Sequence, residues 1–298
     1  MKYLFSVIGL MALVSLVTGC SGTLGSGVSR LLVTRGTDDN QDIYLLSSTG
    51  ATLQQLTSDA ESEESPRWSP DGLNIAFIRR NALAGSQALY LMNADGSGQQ
   101  NFYPGVLTVA DVPFAPAWLS SDTLVFRRGT SAPTSLVKRS VNGGDVTTLT
   151  SPGTDVDDLP AVSPDGATIA FIRTSGSSTA VTNFLYLANA DGTNARSIAT
   201  GVARSTPAWS PDGTKLAFVH AKDGNLELYV AAADGSDPLR ITNNAAADFA
   251  PVWSPDSTKI VFASDRDGNN ELYRINADGT SPLRLTNNTV SDIPYGWR

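Results

Sequence analysis

Residues 249–288 read FAPVWSPDSTKIVFASDRDGNNELYRINADGTSPLRLTNN. Four short runs rich in β-branched and aromatic residues stand in it: Pro251–Ser254, Lys259–Ser264, Glu271–Asn276 and Leu283–Thr286. Ser254-Pro255-Asp256-Ser257 closes the first, Asp265-Arg266-Asp267-Gly268-Asn269 the second and Asp278-Gly279 the third. Pro and Gly supply the backbone angles that tight turns need, and Asp tolerates them. Four strands joined by hairpins predict one antiparallel meander. Its second strand, Ile260-Val261-Phe262-Ala263, is apolar at successive positions, so both its faces need cover. Such a sheet must stand between two others.

The chain supplies them. Positions equivalent to Trp253 recur at Trp68, Trp118, Val162, Trp209 and Trp297, and the six stand at intervals of 50, 44, 47, 44 and 44 residues. The Tyr of the third run recurs at Tyr44, Tyr90, Tyr186, Tyr229 and Tyr273, with Val137 in its place once. A period in the forties with four strands per unit predicts an all-β fold, a β-propeller. The Tyr series begins before any Trp, and the Trp series runs to Trp297, one residue from the chain's end. One composite sheet reconciles the two. Residues 293–298 would give its innermost strand and residues 31–57 the other three, closing a six-bladed ring with no open edge.

Ahead of the ring, Lys2 precedes an apolar run from Tyr3 to Val17 that is too short to span a bilayer comfortably. It reads as a secretory signal peptide over residues 1–19. Val17-Thr18-Gly19-Cys20 resembles a bacterial lipobox. That resemblance implies an acylated Cys20, and Ser21 after it implies outer-membrane sorting, facing the periplasm. Residues 21–29, SGTLGSGVS, read as a flexible tether, and residues 30–298 as the propeller.

Cleavage would remove one lysine and take the formal charge from −8 to −9, which argues against nucleic acid as a partner. A lone Cys leaves no disulfide, so the ring core must hold the fold.

The unit from Val109 to Thr150 departs from the pattern. Leu119-Ser120-Ser121-Asp122 replaces Ser-Pro-Asp-Gly, and Arg127, Arg128, Lys138 and Arg139 gather in it; this reads as a drifted, solvated outer strand or as a binding patch. Residues 79–87 and 173–183 lengthen two turns between second and third strands, and residues 102–114 lengthen a link between blades. In a meander all three emerge on one face of the disc. The apolar Phe102, Tyr103, Val106 and Leu107 would be partly exposed there, as interaction patches are.

Ser-Pro-Asp-Gly at 69–72, 163–166 and 210–213 resembles the WD-like "PD" repeat of TolB-type propellers. So do Asp265-Arg266-Asp267-Gly268-Asn269 with Glu271-Leu272-Tyr273, and the Asn-Ala-Asp-Gly turns. The resemblance covers residues 30–298 and implies the fold strongly and a function weakly, since scaffolds, surface proteins and peptidase propellers share this repeat. TolB itself carries an α/β domain ahead of its propeller and is soluble; this sequence leaves no room for that domain and reads as lipidated. The resemblance implies an envelope protein as partner, such as a peptidoglycan-associated lipoprotein.

Enzyme chemistry finds little purchase. The single His220 has no Gly-x-Ser-x-Gly elbow to serve and reads as structural, and one Cys with one His cannot build a zinc site. Phosphate-cradling glycine motifs are missing. What stands out is acid placed just before the innermost strands: Glu63, Glu64, Asp157, Asp158, Asp248 and Asp292, with Asp111 further out and Arg204 breaking the set. Two readings stand. Either these are strand-end and turn carboxylates, or they ring the channel mouth and focus negative potential on a basic peptide or Ca²⁺. No cofactor is expected beyond that possible ion. The resulting expectation is a monomeric, lipid-anchored scaffold that binds an envelope protein or peptide at an acidic mouth. The alternative is a propeller enzyme acting on glycan or lactone through channel carboxylates.

Overall fold

Second strands apolar on both faces can be satisfied only by stacking sheets side by side, and the chain does this six times. The structure, a computed structural model, describes residues 29–298 apart from 38–39, 82–85, 103–113, 130–131, 178–179 and 223. It is an all-β ring of six antiparallel four-stranded blades. Taking the innermost strand first, blade 1 is Ser291–Trp297, Arg30–Thr37, Asn40–Ser47 and Thr52–Gln55. Blades 2 to 6 follow in chain order, with innermost strands Ser62–Trp68, Phe114–Ser120, Val156–Val162, Ala208–Trp209 and Asp248–Trp253.

The closure expected from the two offset landmark series is present. Leu31 pairs with Trp297, and Val33 with Pro294, in one antiparallel ladder. The backbones of Arg30 and Arg298 exchange both hydrogen bonds, and Trp297 donates its indole N–H to Ser29.

Each interface between neighbouring blades holds its own apolar cluster. Ile260 and Phe262 face blade 5, among Val219, Leu228 and Val230, whereas Val261 faces blade 1, beside Leu31, Val33 and Leu46. All three are fully buried. Burying them contributes roughly 1.5–3 kcal/mol per side chain.

Turn chemistry explains why the repeat is so regular. In Ser254-Pro255-Asp256, the serine Oγ donates to Asp256 Oδ1 at 2.5 Å and accepts the N–H of Lys259 at 2.9 Å. The divergent blade 3 keeps the contact through Ser120 and Asp122, at 2.6 Å. The Asp-Gly turns of blades 2, 4, 5 and 6 dock each of them onto the blade before it. Gly192 has φ +86°, and a Cβ there would lie 1.9 Å from the Leu149 carbonyl oxygen, so only glycine fits.

Candidate functional site

The innermost strands surround a central cavity of about 680 Å³ to which all six blades contribute. Five of these strands are bulged, and in four of them Ser65, Ala115, Leu159 and Ala250 stand at φ between 40° and 54°, each followed by proline. Bulges re-aim a strand and unpair part of its ladder. The wall is aromatic and apolar, and Trp68, Trp118, Trp209, Trp253 and Trp297 all contribute to it. Indoles also tie the blades together: Trp118, Trp209 and Trp253 donate to the carbonyls of Arg67, Ala161 and Ala208 of another blade at 2.9–3.1 Å.

The predicted acids stand at the strand ends, but they are not a free ring. Glu63, Asp157, Asp158, Asp248 and Asp292 are buried, at most 1% exposed. Asp157 accepts from Arg173 at 2.6 and 2.7 Å, Asp292 from Arg35 at 2.6 and 2.9 Å, and Asp248 from Arg266 at 3.0 and 3.1 Å. Glu63 accepts from Arg79 at 2.9 Å, and Glu64 at the surface from Arg80 at 2.7 Å. In four blades the arginine also lies over the blade's tyrosine: Arg35 on Tyr44, Arg79 on Tyr90, Arg173 on Tyr186 and Arg266 on Tyr273, 4.2–5.4 Å from the ring centre. Buried carboxylates keep their charge only with such partners. The expected negative funnel is therefore corrected to a set of paired acids, and among the described residues none of the cavity-lining side chains is Asp or Glu.

Other expectations also change. Phe102 is buried, not partly exposed; it packs edge-on against Phe126 at 6.3 Å in the core between blades 2 and 3. Arg127, read as part of a solvated strand or a patch, is buried and donates to Asp158 at 2.9 Å. The lengthened turns are largely strand: in blade 4 the ladder runs on from Thr174–Asn183 to Ser177–Ala180. Cys20, Tyr103, Val106, Leu107 and Asp111 lie outside the described residues. His220 donates from Nε2 to the Thr200 carbonyl at 3.1 Å and packs near Tyr229.

A second set of buried acids escaped the sequence reading. Glu271 accepts from Thr286 Oγ1 at 2.5 Å, from the Asn288 N–H at 2.6 Å and from Arg284 and Asn269 at 3.3 Å. Glu227 repeats this with Thr242, Asn244, Arg240 and Asn225. The signal was available, because Asn-x-Glu-Leu-Tyr and Leu-Arg-x-Thr-Asn-Asn occur together in both blades. So was the arginine two residues after the central residue of the second strand at Arg35, Arg79 and Arg173.

Among the described residues, no group of three or more His, Cys, Asp or Glu is placed to hold a metal ion. Among the described residues, the cavity wall does not provide the carboxylate pair that the glycan or lactone reading needs in the channel.

A profile of the TolB beta propeller domain matches residues 25–204 and 199–294. The chain belongs to the TolB β-propeller family. A TolB homolog of Chlorobium luteolum is 27% identical over 220 residues, covering 73% of this chain and 37% of that protein. The chain thus spans little more than a third of that relative's length. TolB from Acinetobacter baumannii superimposes with a TM-score of 0.71 at 18% identity, covering 91% of this chain and 66% of that one. An oligogalacturonate lyase of Vibrio parahaemolyticus shares the fold as well, with a TM-score of 0.57, 18% identity and 86% and 74% coverage. The TolB fold therefore resembles both TolB proteins and an enzyme, and likeness at such identity speaks for fold alone.

Proposed function

We propose that this TolB-family propeller is a binding scaffold of the cell envelope that takes a protein segment or peptide at the mouth of its channel. The observation that carries this reading is the cavity itself: about 680 Å³, walled by indoles and prolines, and reached by strands from every blade. Rigid aromatic walls with unpaired edge backbone suit an extended chain. On this reading the protein is exported, held by an acylated Cys20 at the outer membrane on the periplasmic side, and monomeric. Its partner is another envelope protein.

Photo-crosslinking in intact cells tests it. A crosslinker at Ala208, on the channel wall, should capture one envelope protein, whereas the same group at Thr280, in an exposed turn, should not. Equal capture from both positions, or none from Ala208, would remove the channel from the function. Cys20→Ser should abolish palmitate incorporation and leave the precursor unprocessed. Wild-type protein that is unlabelled and starts elsewhere than Cys20 would sink the anchor.

A further inference from the structure

One level of the channel is built by the residue preceding each Trp-equivalent position: Arg67, Ala117, Ala161, Ala208, Val252 and Gly296. Five are small and uncharged, and they leave the space that the sixth, Arg67, shares. Its guanidinium lies 5.1 Å from the centre of the Tyr295 ring and donates one hydrogen bond, from Nη1 to the Tyr295 carbonyl at 2.9 Å. A guanidinium offers a fork of further N–H donors. Among the described residues Arg67 has no carboxylate partner, unlike Arg35, Arg79, Arg173 and Arg266. The nearby Glu64 is held by Arg80.

The rest of the wall has the same sign. Among the described residues its charged side chains are Arg67, Arg204 and Arg298. By register, Arg204 stands at the mouth, Arg67 within and Arg298 at the far end of the innermost strands. Arg204, half exposed, shares Asp158 with Arg127, so two guanidiniums meet one carboxylate there. A protein of net charge −8 thus has a channel whose charged side chains, among the described residues, are all cationic. Desolvation pulls Arg67 down to about 10, well short of discharging it at neutral pH, and leaves a charged fork whose burial Tyr295 offsets in part and no carboxylate completes.

We propose that the channel is a carboxylate-accepting site, in which Arg67 takes the acidic side chain or terminal carboxylate of an inserted peptide by a forked, charge-assisted pair. This deepens the scaffold reading, on which it rests, and reverses the sign expected from the sequence: the occupant is an acidic segment, not a basic one. The flanking Trp68 and Tyr295 rings would pack against its stem, and Gly296 permits their approach, since a Cβ there would meet Trp68 at 2.9 Å.

The test uses the full-length chain and three labelled hexapeptides, of glutamate, glutamine and lysine, followed by anisotropy and by the protein's own tryptophan fluorescence. Hexaglutamate should bind, weaken as salt rises and change the emission of the wall indoles; hexaglutamine and hexalysine should not. Arg67→Gln should lower hexaglutamate affinity roughly ten-fold or more, with Arg67→Lys intermediate. Because Arg67→Gln could disturb the ring, its melting temperature is measured alongside, and the wild-type ranking of the three peptides decides by itself. Hexalysine binding as tightly as hexaglutamate, or a folded Arg67→Gln that binds unchanged, overturns the proposal. So does inorganic phosphate displacing hexaglutamate at equal concentration, which would make the site one for small anions. If none of the peptides binds while Ala208 still crosslinks an envelope protein, the charge assignment fails and the scaffold reading stands.

Discussion

Arg35 and Asp292 lie 257 residues apart in sequence and share two hydrogen bonds, Nε to Oδ1 at 2.6 Å and Nη2 to Oδ2 at 2.9 Å. They stand directly opposite one another where the chain's first strand meets its last. The same acid–arginine contact forms within single blades at Glu63–Arg79 and Asp157–Arg173. At Arg35–Asp292 it also holds the two ends of the chain together.

The first prediction concerns that seam. Arg35→Ala leaves Asp292 buried with Asn288 but without its cation and should cost about 3–5 kcal/mol. Deleting residues 293–298 should cost more, since it unpairs Leu31 and Val33 and opens a sheet edge. Chemical denaturation checks both. A deletion variant that unfolds at the same denaturant concentration as wild type would show that the ring does not depend on this strand.

A second prediction separates two kinds of acid by burial. Glu271 is fully buried among four donors, so Glu271→Ala strands the Thr286 hydroxyl and the Asn288 N–H and should cost about 3–5 kcal/mol. Asp278 accepts from Thr280 in an exposed turn, and Asp278→Ala should shift the melting temperature far less. Equal effects at the two positions would contradict the distinction. Charge reversal at Asp248 or Asp292 is for the same reason a test of folding and not of binding.

The third prediction is a pH dependence with a definite sign. Glu63 has one oxygen on Arg79 and the other, Oε2, buried without a partner. Burial pushes its carboxyl from 4.5 up to about 7, against the opposing pull of Thr57 and Arg79. The folded state then binds more protons than the unfolded one between about 4.5 and 7, so this group's contribution to stability falls as pH rises through that window. Glu63→Gln should remove the slope. Its melting temperature relative to wild type should therefore climb from pH 5 to pH 8. A difference that stays flat would mean Glu63 is ionised throughout.

How much of this was legible in the sequence can be read from particular residues. The recurrence of Trp68, Trp118, Trp209, Trp253 and Trp297, the doubly apolar run at Ile260–Ala263 and the Ser-x-Asp and Asp-Gly turns were enough for blade, period and closure. These follow from local rules: strand periodicity, turn angles and the need to cover both faces of a sheet. The channel's charge does not follow from such rules. Asp157 and Asp248 look alike in sequence whether they face water or a guanidinium, and cross-strand register with blade apposition decides which. Arg67 is one basic residue among 21 until the ring sets it in a wall of alanine, valine and glycine with no acid beside it. Strand order and ring closure are written in short-range patterns. The sign of the channel is decided by which side chains six distant segments bring to one axis, because only folding settles which charges are paired and which are left to a ligand.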